Sequence, residues 1–134
     1  MDKKTKKKQK GTVKEALRIQ SEWLYLSERE GILRCFYEYL RESGREAQLW
    51  EEAGVLELSL AEDSSMDMEV LEKDQWDDEL CLFAKQRTVN KIYTISFPEK
   101  DQKAAYALME ELAGKAGGSF CKDTEDFLPE IKGG

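Results

Sequence analysis

Apolar residues alternate with polar or small ones in two neighbouring stretches of the chain, and this two-residue period predicts β-strands. Leucine fills every second position of 56–61, and methionine or valine fills every second position of 66–71. The connection between them, residues 62–65, is short, which favours pairing as an antiparallel hairpin. Two more strands are predicted downstream. One covers 89–97, where β-branched and aromatic residues are concentrated, and the other covers 118–122.

Apolar residues three or four positions apart predict amphipathic helices near the start of the chain. Thr12 and Glu15 have the spacing of a capping box, so a first helix is expected from Thr12 to about Leu26. Gly31 interrupts the pattern, and a second helix is expected up to Gly44. The two segments could instead form one bent helix, because leucine recurs at a seven-residue step across the break.

Three further helices are predicted. A short one covers 45–53 and ends at Gly54, and another begins after Trp76 with acidic residues in its first turn. The longest begins near Lys100 and carries apolar residues at helical spacing as far as Ala116.

These elements predict an α+β fold with a single domain over residues 12–134. The strand, helix and strand at 89–122 form a unit that should cross over right-handed and pair its strands in parallel. Together with the hairpin, this gives a small mixed four-stranded sheet. Helices are expected on one face of the sheet, with the N-terminal helical pair against that face or its edge.

Charge is unevenly distributed along the 134 residues, whose formal net charge is −7. Residues 1–10 contain six lysines and one aspartate, a net charge of +5, which leaves −12 for the rest. Residues 1–11 are therefore predicted to be a disordered basic tail. The acidic body repels nucleic acids and anionic membranes, so a basic protein is the expected partner. Nothing beyond the tail indicates a nucleic-acid or membrane partner, and the oligomeric state is left open.

Composition argues against several classes of enzyme. The chain has no histidine, the usual general base near neutral pH, and it lacks the glycine-rich motifs that bind phosphates. No cofactor is expected, and a non-enzymatic role is favoured. Cys35, Cys81 and Cys121 are widely spaced, which predicts reduced thiols and a cytoplasmic location. Lys122 could lower the pKa of Cys121 and make it nucleophilic, although burial of all three thiols is the preferred interpretation.

One carboxylate cluster is a candidate metal site. Asp123, Glu125 and Asp126 follow a predicted strand end, where a loop can gather oxygen ligands for Mg²⁺ or Ca²⁺. The acidic run that begins at Asp77 and Asp78 could face the same edge. The alternative is structural: the first cluster forms a turn, and the second supplies the charges that favour a helix N-terminus.

Tryptophan positions suggest where a protein partner could bind. Trp23 and Trp76 are predicted to lie in the core, whereas Trp50 lies in the weakest predicted helix and is expected to be exposed. Because aromatic side chains anchor many interfaces, a partner-binding surface is predicted from Trp50 and the nearby acidic residues. These acidic residues are Glu51, Glu52, Asp77 and Asp78.

Three functional hypotheses follow. The first is a non-enzymatic module that binds or neutralises a basic protein, and in size, charge and α+β pattern the chain is similar to small acidic bacterial proteins that neutralise basic toxin domains. The second is a metal-dependent enzyme that uses the carboxylate cluster. The third is a protein that binds nucleic acid or a membrane surface through its lysine-rich tail.

Overall fold

A computed structural model describes residues 20–133, which form one antiparallel sheet with three α-helices. The sheet has seven strands in the order β2-β3-β4-β5-β1-β6-β7. The helices are α1 (Ile32–Glu42), α2 (Asp78–Arg87) and α3 (Gln102–Ala116). The strands are β1 (Gln20–Ser27), β2 (Ala47–Trp50), β3 (Val55–Ala61), β4 (Ser64–Leu71), β5 (Lys91–Pro98), β6 (Ser119–Lys122) and β7 (Glu130–Lys132).

β1 is a central strand, which corrects the prediction of a helix up to Leu26. Four consecutive residues, Trp23 to Leu26, are almost fully buried because both faces of β1 are covered. A strand buried on both sides loses its alternation and becomes a continuous apolar run. Such a run also satisfies helical spacing, and periodicity alone cannot separate the two structures. The predicted basic tail at residues 1–11 and the capping box at residues 12–15 lie outside the described range.

Helices cover both faces of the sheet, so the prediction of a single covered face is wrong. α1 and α3 share the larger hydrophobic cluster with Tyr25, Leu56 and Met68. α2 lies on the opposite face, where Leu80 and Ala84 pack against apolar residues of β1, β5 and β6. The smaller cluster beneath α2 includes no residue of β2 or β3.

The two strands on either side of the last helix were predicted to pair directly with each other, in parallel. β5, α3 and β6 are all present, but β1 lies between the two strands and pairs antiparallel with each. β5 and β6 therefore run in the same direction without touching, and the sheet is antiparallel throughout the described residues. The mixed sheet was predicted only because the intervening strand had been assigned to a helix.

Most of the other predicted elements are confirmed. The four predicted strands and the β3–β4 hairpin are confirmed, as are α1, α2, α3 and the break at Gly31, whose φ is +66°. The short helix at 45–53 is wrong, because Ala47–Trp50 is a strand in which Ala47 and Leu49 pack against the core. β7 was not predicted. None of the helices in residues 20–133 combines the length and apolar character needed to cross a membrane.

A substitution at Gly118 can test how tightly the end of α3 packs against β1. Its φ is +74°, and an added Cβ would lie 2.6 Å from both the Leu26 carbonyl oxygen and the Tyr25 hydroxyl. Gly44 has a similar φ of +81° with open space around it. We expect Gly44→Ala to lower the free energy of unfolding by about 1–2 kcal/mol through backbone strain alone. Gly118→Ala should cost about 2–5 kcal/mol, since overpacking is added. Equal losses in urea denaturation would contradict this packing.

Candidate functional site

One part of the sheet carries polar side chains on the side away from α1 and α3. Because side chains alternate along a strand, the residues between the buried leucines and methionines of β3 and β4 point to this side. We call it the open face. Its members on β2, β3, β4 and β5 are Gln48, Trp50, Val55, Glu57, Ser59, Ser65, Asp67, Glu69, Thr94 and Ser96.

The strand register places carboxylates side by side across the open face. Glu57 lies directly opposite Asp67, and Asp67 lies opposite Ser96. Directly opposed residues have Cβ atoms about 5 Å apart, and like charges in that arrangement are destabilising. None of the ten positions of the open face is lysine or arginine. The ten positions therefore contribute three carboxylates and no cationic side chain.

A second row of the open face adds apolar surface. Trp50 lies opposite Val55, and Val55 lies opposite Glu69. The side chain of Trp50 is 46% exposed, which makes it one of the few large hydrophobic residues on the surface of the described chain. An exposed indole and several carboxylates thus occupy one continuous side of three strands.

The turn after β2 carries the two glutamates that were predicted beside Trp50. Glu51 forms a two-pronged ion pair with Arg34 of α1, with 2.8 Å between Arg34 Nε and Glu51 Oε2. This hydrogen bonding from Arg34 lowers the pKa of Glu51. Glu52 is exposed in the same turn. Trp50, Glu51 and Glu52 are therefore contiguous, but Glu51 is already engaged with the helix side.

A hollow of about 410 Å³ lies beside β2, the outermost strand. Glu57 and Ser59 of the open face contribute to one side, and Arg41 and Arg45 contribute from the α1 end. Arg45 is held by Glu111 of α3 through two hydrogen bonds of 3.0 and 2.9 Å. Arg45 is thus paired with Glu111, whereas Arg41, which donates a 3.2 Å hydrogen bond to the Tyr37 hydroxyl, places a cation in the hollow near Glu57.

Asp77 and Asp78 lie in a different part of the molecule. Asp77 caps α2, where its Oδ1 accepts a hydrogen bond of 2.8 Å from the Leu80 amide. Asp78 is exposed in the first turn of the same helix. Asp77 is also close enough to Asp123, beyond β6, to affect its pKa. Since β6 is five strand positions from β2, or roughly 24 Å, the five predicted partner-binding residues form two separate groups.

The loop with the predicted metal ligands is organised by its own hydrogen bonds. Asp126 Oδ1 accepts from the Leu128 amide at 3.2 Å and from the Thr124 hydroxyl at 3.0 Å. The ring of Phe127 stacks on Phe83 of α2 with centroids 4.1 Å apart. The described residues contain no group of three or more cysteine, aspartate or glutamate side chains placed to hold a metal ion. Metal binding by Asp123, Glu125 and Asp126 stays a prediction.

The cysteines differ from one another in their surroundings. Cys121 is fully buried, and burial raises the pKa of its thiol to about 11, so the suggested lowering by Lys122 is wrong. Cys35 is half-buried and Cys81 is exposed, which corrects the prediction that all three are buried. All three thiols are free.

The opposed carboxylates of the open face were missed as a site. The sequence contained a sign of this site, since Glu57, Asp67 and Glu69 are the acidic members of the two alternating stretches. Alternation gives each strand two faces but does not say which residues of neighbouring strands are opposite each other. Comparison with protein-family models, curated proteins and solved structures finds no match to this chain.

The electrostatic effect of Asp77 on Asp123 leads to a test by titration. Partial burial and then the negative charge of Asp77 raise the pKa of the Asp123 carboxyl. Asp77→Asn keeps a good N-cap acceptor and removes that charge. We expect the pKa of Asp123 to fall but to remain above its ordinary value, as measured by carbon-detected NMR. Asp78→Asn is the matched control, and an equal change in both variants would contradict the assignment.

Proposed function

We propose that this protein is a non-enzymatic binding module that docks a basic protein partner on the open face. The observation that carries the proposal is the placement of exposed Trp50 on the same side of the sheet as Glu57 and Glu69. Aromatic anchors supply much of the energy at protein interfaces, and surrounding charges supply orientation and a faster encounter. The open face offers both.

The carboxylates of Glu57 and Glu69 support a cationic partner. They lie on the same side of the neighbouring strands β3 and β4, and a lysine or arginine from a partner can form ion pairs with them. Arginine suits the site best, because its planar guanidinium can bridge carboxylates and also stack on an indole such as Trp50.

A protein partner fits this surface better than a nucleic acid. Phosphate backbones are bound by lysine and arginine, and the open face has neither. A sheet face with an aromatic residue at one edge is instead suited to a folded surface or a basic segment of a protein. Three free thiols, one of them exposed, also favour a reducing compartment, and we place the protein in the cytoplasm.

Site-specific photo-crosslinking tests this proposal. A photoreactive phenylalanine analogue at position 50 should capture a protein with a basic surface from an extract of the source cells. The same analogue at position 82 is the control, because Leu82 is at least as exposed but lies on α2, outside the open face. Capture from both positions, or only of acidic proteins, would contradict the proposed face.

The affinity for the purified partner then measures how much Trp50 and the two glutamates each contribute to binding. The double variant Glu57→Gln/Glu69→Gln should weaken binding by about twofold to thirtyfold at low salt, as expected for two exposed ion pairs. Trp50→Ala should weaken it by about thirtyfold or more. The charge-matched control is Glu42→Gln/Glu110→Gln, which alters exposed residues of α1 and α3. If the control weakens binding as much as the open-face variant, net charge and not this face is responsible.

A further inference from the structure

We propose that two copies of this chain associate through the outer side of α2, with the two helices antiparallel and Leu82 of each copy at the centre. Leu82 lies in the middle of α2 and is 58% exposed, and Leu128, in the loop after β6, is 53% exposed. Trp50 is the remaining large hydrophobic side chain that is exposed in residues 20–133. Two of these three side chains therefore lie at α2 and the loop beside it, outside the open face.

The exposed apolar surface continues from α2 onto that loop. The ring of Phe83 stacks on the ring of Phe127 with an angle of 14° between their planes, and both side chains are half-buried. Leu82 precedes one ring of this pair in the sequence, and Leu128 follows the other. Contiguous apolar surface on a folded protein marks interaction sites, whereas single exposed hydrophobic residues do not. The outer side of α2 is therefore a candidate interface.

Two opposite charges flank Leu82 along α2. Asp78, Leu82 and Lys85 are four and three positions apart, so they share one line on the exposed side of the helix. Neither Asp78 nor Lys85 forms an ion pair or a side-chain hydrogen bond with another of residues 20–133. Toward the centre of the helix, the positions three and four residues from each charge hold Cys81 and Leu82, so no intrahelical ion pair is possible there. Both charges can therefore pair with another molecule.

An antiparallel pair of α2 helices brings these charges together. A two-fold axis beside Leu82 reverses the order of the residues, so Asp78 of each copy lies next to Lys85 of the other. The two leucines meet between the two ion pairs, and Glu79 of each copy lies next to Gln86 of the other on the second flank of the helix. A parallel pair instead places each charge next to the same charge of the other copy, which is unfavourable. Charge therefore selects the antiparallel direction.

A second copy fits this surface better than a partner with one sign of charge. Asp78 and Lys85 lie on either side of Leu82, so a purely basic or purely acidic surface pairs with one of them and repels the other. The two-fold axis also brings the stacked phenylalanine rings and Leu128 of both copies to the same flank of the helix pair. The net charge of −7 on each copy opposes association, so we expect a weak dimer that depends on concentration.

Sedimentation of the full-length protein tests the dimer without any other partner. We expect the native chain to dimerise with a dissociation constant below about 1 mM. Asp78→Lys and Lys85→Glu each replace the ion pairs with like charges, so each variant alone should dimerise at least about fivefold more weakly. An equal mixture of the two variants should restore association, because every contact then joins a lysine of one chain to a carboxylate of the other. A native chain that is monomeric at about 1 mM, or a mixture that associates no better than the separate variants, would overturn the proposal.

Leu82→Glu and Trp50→Ala are a matched pair of substitutions at exposed hydrophobic residues. Leu82→Glu should weaken the dimer by about tenfold or more, because it places two carboxylates at the centre of the interface, whereas Trp50→Ala should leave the dimer unchanged. Equal weakening by both, or weakening by Trp50→Ala alone, would overturn this interface. The outcome is independent of the proposed function, since no basic partner takes part. Photo-crosslinking from position 82 to a second copy gives a product of twice the chain mass, which distinguishes it from capture of a basic partner.

Discussion

The packing of Tyr25 at the centre of β1 fixes the arrangement of the whole sheet. Its ring is fully buried and contacts Phe36 of α1, Tyr93 of β5 and Phe120 of β6, with centroids 5.2, 6.1 and 4.5 Å away. Its hydroxyl donates a 2.6 Å hydrogen bond to the Gly117 carbonyl at the end of α3. Burial raises the pKa of Tyr25 to about 12, so the phenol remains a neutral donor. Two helices and three strands thus meet at one side chain.

The direction of Tyr25 also decides which residues become the open face. Because it points toward α1 and α3, the neighbouring positions Leu24 and Leu26 point to the other side, where α2 packs on them. The register carries this division across β5 and β4 to β3. α2 is only ten residues long, and its cluster ends before β3. The carboxylates of the open face therefore lie beyond the part of this side that packs under α2.

The sequence predicted most local elements because each has one buried face or a clear boundary. α1 follows Gly31, and the β3–β4 hairpin shows clean alternation. The topology failed at β1, because burial on both sides removed its alternation, and the error hid the strand that separates β5 from β6. Exposure of Trp50 was predicted from its polar neighbours. The pairing of Glu57 with Asp67 could not be predicted, because it depends on register between strands.

The edges of the sheet are less suited to binding than its open face. β2 and β7 are the outer strands and contain only four and three residues, so an added strand would gain few backbone hydrogen bonds. Glu130 of β7 is also held by Arg87 through contacts of 2.7 and 3.0 Å, which places an ion pair at that edge. Short and charged edges are a common means of preventing sheet-to-sheet association. The side chains of the open face therefore offer the proposed partner more than the edges do, because Trp50 supplies contact area and Glu57 and Glu69 supply charge.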